Sequence, residues 1–106
     1  MSQPVLSDAE VIAALSAPDR PEWHLIAGKL VKTVACPDFV GALAFVSEVG
    51  ALAEEANHHP DIDIRYNRVT LALITHDSEG ITRLDLDLAQ AIDRIRIEAR
   101  GESGHG

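Results

Sequence analysis

The sequence predicts an α+β domain, a four-stranded antiparallel sheet with three helices packed on one face. Two capping-box sequences, Ser7-Asp8-Ala9-Glu10 and Thr82-Arg83-Leu84-Asp85, open stretches with apolar residues at helical spacing near the two ends of the chain. A third helix is signalled by the run from Phe39 to Ala53, in which only Ser47 and Glu48 are conventionally polar. Between these lie two pairs of β-rich segments, one turning around Gly28 and the other at Asn67. The order helix, hairpin, helix, hairpin, helix requires no parallel crossover.

Residues 1–6 read as a loose arm. In the first helix, 8–16, Ser7 is the cap, Glu10 reaches back to it, and Val11, Ile12 and Leu15 supply one apolar stripe before Pro18 and Pro21 end it. Trp23 to Ala27 and Lys29 to Cys36 form the first hairpin, with strands near 23–27 and 29–36. The only tryptophan, Trp23, fits a core position, where such rings bury large areas; stacking on a substrate is the alternative. Asp38 caps the second helix, 38–57. That helix has two stripes: Phe39, Leu43, Val46 and Ala53, and Ala42, Phe45, Val49, Leu52 and Ala56. One face covers the sheet, so the other calls for a partner, and a homodimer or homotetramer is expected. Gly41 and Gly50 each cost about 1 kcal/mol of helix propensity and allow another backbone to come close.

In the second hairpin Ile62, Ile64 and Tyr66 alternate with Asp63 and Arg65, and Val69, Leu71 and Leu73 alternate with Thr70 and Ala72. This is the period of half-buried strands near 61–66 and 69–75. Tyr66 is expected to end its strand on the core-facing side. In the last helix, 82–99, Thr82 is the cap, Asp85 the reciprocal partner, and Leu84, Leu88, Ile92, Ile95 and Ala99 the stripe, with Gly101 beyond its end. Residues 101–106 read as flexible, and His105 as outside any chemistry.

Composition narrows the function classes. The 106 residues make one domain with a single modest core. With 9 Lys+Arg against 17 Asp+Glu, net −8, the chain lacks the basic footprint of a nucleic-acid binder or an anionic-membrane binder. Cys36 is the one cysteine, so neither an internal disulfide nor a Cys-x-x-Cys site can form. No apolar run reaches the ~20 residues of a membrane span, and no signal pattern stands at the N-terminus. The expected compartment is cytoplasmic.

The chemistry concentrates in Glu54-Glu55-Ala56-Asn57-His58-His59-Pro60, at a helix end, with His76 just past the second hairpin. Histidine is the side chain that moves protons near neutral pH. Three readings of His58, His59 and His76 stand side by side: structural histidines at a helix C-terminus, a metal site with Glu54, or metal-free general acid–base catalysis. Against the metal there is no His-Glu-x-x-His, no cysteine pair, and adjacent histidines point in different directions. Pro60 stops the helix and fixes the backbone after His59.

Taken together, Glu54, His58-His59-Pro60, Tyr66, His76 and Asp85 resemble the signature of the pterin-4a-carbinolamine dehydratases. Three residues separate Glu54 from His58, five Pro60 from Tyr66, nine Tyr66 from His76, and eight His76 from Asp85. Trp23, Pro37-Asp38-Phe39, Thr75-His76-Asp77 and Leu88-Ala89 extend the likeness over residues 7–96. The chain departs from the family at Thr33-Val34-Ala35-Cys36, where aromatics are usual. The resemblance implies a hydro-lyase that converts 4a-hydroxytetrahydrobiopterin, or a related 4a-hydroxytetrahydropterin, to quinonoid dihydropterin and water in pterin recycling, with no cofactor and no metal. It implies His58 and His76 as acid and base, and His59 as a further catalytic residue that binds and orients the ring. Glu54 and Trp23 are further candidates for substrate binding, and Pro60, Tyr66 and Asp85 are structural. The family also includes protein-binding modules that act as dimerisation cofactors. A non-catalytic role of that kind is the alternative.

Overall fold

The structure, a computed structural model, describes residues 4–15 and 23–96. Its elements follow the expected order: α1 (Asp8–Leu15), β1 (His24–Ile26), β2 (Lys29–Ala35), α2 (Phe39–Ala56), β3 (Asp61–Arg65), β4 (Arg68–Leu73) and α3 (Arg83–Asp93). The strands form one antiparallel sheet in the order β1-β2-β4-β3. The α+β class, the four strands and the three helices are as the sequence predicts.

Strand alternation sorts the sheet into two faces. Leu30 and Val34 of β2 and Val69, Leu71 and Leu73 of β4 are buried, and they meet Ala42, Phe45 and Val49 of α2 and Leu86, Ala89 and Ile92 of α3 in one core. Between them, Thr33 and Thr70 occupy the opposite face and share a 3.0 Å hydroxyl contact across the paired strands. Neither hairpin has room for more than a two-residue turn. Ala27 and Gly28 both take positive φ, 51° and 79°, the backbone that suits a tight hairpin. The second turn is tied down by Asn67, whose side-chain N–H donates to the Cys36 carbonyl while its own carbonyl accepts the Cys36 N–H, both at 2.8 Å. Cys36 is buried there, and its thiol is pushed up from the ordinary range, first by burial and then by the charge of Asp38. That describes a packing residue, not a reactive thiolate.

The caps form as expected. Ser7 and Glu10 exchange hydrogen bonds of 2.7 and 3.1 Å, and Asp38 Oδ1 accepts the Gly41 N–H at 2.7 Å. On α1, Val11 is core and Leu15 packs partly, while Ile12 faces solvent. The α1 end at 16, Pro18 and Pro21 lie outside the described residues.

Several expectations need correction. The N-terminal arm is docked over its described part: the Leu6 N–H donates to the Ile81 carbonyl at 2.8 Å, and Val5 packs so close to Gly80 that a Cβ there would stand 2.7 Å from Val5 Cγ1. Helix α3 ends at Asp93 with Arg94 as its cap, not near 99; residues 97–106, including Gly101 and His105, are outside the description. There the backbone tightens, the Arg94 and Ile95 N–H groups closing on the Ala91 and Ile92 carbonyls three residues back, and Asp93 accepts the Trp23 indole N–H at 2.8 Å and the Lys32 ammonium at 2.8 Å. Tyr66 does not end β3 on the core side. It is a turn residue with φ +54° and 68% exposure, and β3, an edge strand, buries none of its residues.

The face of α2 away from the sheet leaves Phe39, Val40 and Leu43 exposed. Gly50 lies along that side, and a Cβ built on it meets nothing within 4 Å.

Candidate active site

The end of α2 sets the site. Asn57 adopts the left-handed conformation, φ 52° and ψ 43°, and its N–H closes back on the carbonyls of Ala53 and Glu54. Asparagine is among the few residues that tolerate this cap without glycine's freedom. The His58 N–H then bonds the Ala53 carbonyl at 3.0 Å, so the chain turns sharply. Consecutive side chains consequently diverge: His58 goes inward and His59 outward.

His58 is 9% exposed, and its Nε2 lies 2.6 Å from Oδ1 of Asp85. Asp85, in the first turn of α3, is 0% exposed and fully partnered. Its other oxygen, Oδ2, accepts the Thr82 backbone N–H at 2.9 Å and the Thr75 hydroxyl at 2.8 Å, and the Thr75 and Thr82 hydroxyls meet at 2.7 Å. The capping-box role expected of Asp85 is therefore present, and the same carboxylate also holds His58. Three elements converge on it: the α2 end, the strand-like Thr75 and the α3 start.

His59 Nε2 lies 2.6 Å from Glu54 Oε2, and both are exposed. An exposed pair of this kind contributes about 0–1 kcal/mol, so it orients His59 without fixing it as Asp85 fixes His58. Glu54 sits one helical turn before His58 but bonds its neighbour, because the αL residue at 57 rotates the chain between them.

His76 opens the turn between Thr75 and Gly80, which face each other as an isolated antiparallel pair; the Thr75 N–H bonds the Gly80 carbonyl at 3.0 Å. That turn carries His76 out beside the α2 end. His58, His59 and His76 line one cleft of about 270 Å³, with Asn57, Ile74, Thr75, Asp77 and Leu84. A larger concavity, about 680 Å³, lies over β1 and β2 but brings one histidine, one lysine and no carboxylate to its walls, so it offers no acid–base pair.

The remaining candidates fall elsewhere. Trp23 does not reach this cleft: it is 3% exposed in the core, with its indole N–H used by Asp93, which corrects the substrate-stacking expectation. Pro60 and Tyr66 do not line the cleft either. Among the described residues, no group of three His, Cys, Asp or Glu is placed to hold a metal ion, and no helix is long and apolar enough to cross a membrane. Sequence reasoning passed over Asn57 and the Thr75 hydroxyl as contributors. The signal for Asn57 was present, since an asparagine between a helix and a proline is a common αL stop; nothing local marks Thr75.

The profile of the pterin 4 alpha carbinolamine dehydratases matches residues 4–95. The chain belongs to the pterin-4a-carbinolamine dehydratase family. A protein of Chloroflexus aurantiacus, provisionally named a pterin-4-alpha-carbinolamine dehydratase, is 53% identical over 92 residues, 87% of this chain and 97% of that protein. A protein of Herpetosiphon aurantiacus with the same provisional name is 50% identical over 97 residues, 92% of this chain and 99% of that one. Among solved structures, the transcriptional coactivator/pterin dehydratase of Brucella melitensis superposes with a TM-score of 0.79 at 29% identity, covering 85% of this chain and 96% of its own. A pterin dehydratase-like RuBisCO assembly factor of the alpha-carboxysome shares the fold alone, with a TM-score of 0.61 at 22% identity over 71% of this chain and 89% of its own. Dehydratase folds thus also occur in proteins named for assembly.

Proposed function

We propose that this protein is a cytoplasmic 4a-hydroxytetrahydropterin dehydratase, with 4a-hydroxytetrahydrobiopterin or a close relative as substrate. The observation that carries the reading is the single cleft shared by His58, His59 and His76, two of them held by carboxylates. A binding module has no need of three imidazoles facing one cavity.

The reaction breaks the C4a–O bond and forms a C4a=N bond in the ring. The hydroxyl must gain a proton to leave as water, and a ring nitrogen must lose one. Neither step calls for a redox group or a covalent intermediate. His58 and His76 act as the proton donor and acceptor across the cleft. His59, exposed and steered by Glu54, orients the ring. The quinonoid dihydropterin then returns to the tetrahydro form through a reductase.

Stopped-flow mixing with freshly generated 4a-hydroxytetrahydropterin tests this reading. Dehydration faster than the spontaneous rate, changing between about pH 5 and 8 as histidine chemistry requires, and unaffected by a chelator, is the expected result. Loss of activity on chelation would restore the metal reading. A wild-type rate equal to the spontaneous one would favour the binding module.

A homodimer or homotetramer is part of the same proposal. Phe39, Val40 and Leu43 give α2 an uncovered apolar face, and patches of this kind mark interaction surfaces. Light scattering at micromolar concentration should give a multiple of 11.4 kDa, and Leu43→Glu should lower it. A wild-type mass equal to a single chain would contradict the assembly.

A further inference from the structure

Which ring nitrogen of His58 exchanges protons follows from the directions of the hydrogen bonds around Asp85. A carboxylate oxygen only accepts, so the Thr75 hydroxyl donates to Oδ2 across 2.8 Å. Its single proton is then committed, and at the 2.7 Å contact with Thr82 Oγ1 it accepts, so the Thr82 hydroxyl is the donor. Thr82 Oγ1 in turn accepts the Leu84 N–H at 3.2 Å, while the Thr82 backbone N–H donates to Asp85 Oδ2 at 2.9 Å. Every donor on this side points toward the carboxylate. Among the described residues the one partner of Oδ1 is His58 Nε2, at 2.6 Å, which must therefore carry a hydrogen. In a neutral imidazole the other nitrogen is then bare, and His58 Nδ1 has no hydrogen-bond partner among the described residues.

We propose that Thr82, Thr75 and Asp85 form a one-directional hydrogen-bond chain that locks His58 as its Nε2–H tautomer, leaving Nδ1 as its only port for protons and making Asp85 and Thr75 positioning residues for the reaction. The tautomer stands on the hydrogen bonds alone; its use rests on the dehydratase reading. In that reaction neutral His58 is the base. Nδ1 takes the ring-nitrogen proton as the C4a=N bond forms and the C4a–O bond breaks. The proton that leaves with the hydroxyl as water comes from protonated His76. Both histidines reset by exchange with solvent. The imidazolium formed on His58 is held by Asp85 through the Nε2–H, as an oriented carboxylate holds histidine in other proton-transfer sites.

The test uses the full chain, labelled with ¹⁵N, and long-range ¹H–¹⁵N spectra of the imidazole rings at a pH where they are neutral. The wild type is expected to show His58 with a hydrogen on Nε2 and a bare Nδ1. Asp85→Asn replaces an acceptor by an amide able to donate, and should shift His58 toward the Nδ1–H form. In step with that shift, kcat should fall by about 10²-fold or more, within the ~10²–10⁴ that one proton transfer contributes, with KM little changed. Thr75→Val removes one donor to Oδ2 while keeping its shape; Oδ1 still only accepts, so His58 should keep its Nε2–H, while the less firmly held carboxylate should lower kcat by less than Asp85→Asn does, and Thr75→Ser should restore kcat. Because Asp85→Asn can weaken folding, the Thr75 pair keeps the proposal exposed to refutation. A wild-type His58 with hydrogen on Nδ1 overturns the proposal whatever the activity. So does a folded Asp85→Asn with unchanged tautomer and kcat, or a folded Thr75→Val in which His58 carries its hydrogen on Nδ1 or kcat is unchanged. A wild type with the Nε2–H tautomer but no dehydration would support the lock and defeat the dehydratase reading alone.

Discussion

His58→Ala should reduce turnover by about 10²–10⁴-fold, the range supplied by a positioned proton-transfer group, while leaving the fold intact. The ring sits at the edge of the core, 9% exposed and aimed at a carboxylate, where its removal opens a small polar gap beside the cleft. His76→Ala should fall in the same range, with less effect on stability because His76 is exposed on a turn. His59→Ala should act more on KM than on kcat, since its one described partner is the exposed Glu54. Circular dichroism alongside steady-state kinetics separates these outcomes. Three equal losses in kcat would contradict the division of roles.

The second large effect concerns stability. Asp85→Ala should destabilise the domain by about 3–5 kcal/mol, the cost of removing one member of a buried polar pair. Several losses coincide. The Thr82 N–H loses its reciprocal cap, and the Thr75 hydroxyl and His58 Nε2–H lose their acceptor. Each unsatisfied buried donor costs about 1–3 kcal/mol, though a water entering the vacated volume offsets part of it. Against a total stability of about 5–15 kcal/mol for small domains, the variant should unfold at a much lower denaturant concentration. Thr33→Val, which alters the hydroxyl contact on the other face of the sheet, should change stability by less than about 1 kcal/mol. Urea titrations of the two variants check the contrast; near-equal midpoints would mean that Asp85 is not the junction described.

The fold was legible because its signals are local. Ser7 with Glu10, Asp38, and Thr82 with Asp85 mark helix starts through side chains three residues apart or fewer, and the period of two in Val69, Leu71 and Leu73 marks a strand by itself. What was missed depends on contacts far apart in sequence. Asp93, the last residue of α3, is tied to Trp23 and Lys32, 70 and 61 residues away, and the apolar spacing through Ile95 gives no hint that the helix stops there. Tyr66 continues the alternation of Ile62 and Ile64, yet the two-residue turn takes it out of the strand. In the site, the histidines announce themselves by type and spacing. The partner of His58 does not, since Asp85 is already accounted for as a cap and its second bond spans 27 residues. Glu54 pointed to a histidine by spacing, but one αL residue at Asn57 decides that the histidine is His59.

The catalytic role of the histidines reads out most directly in one rate. Freshly generated 4a-hydroxytetrahydropterin, mixed in a stopped-flow instrument with the wild type and with the His58→Ala, His76→Ala double variant, gives the dehydration rate above the spontaneous background. Acid–base catalysis by these histidines predicts a clear acceleration by the wild type and a rate at or near background for the folded double variant. Full activity in the double variant would contradict it.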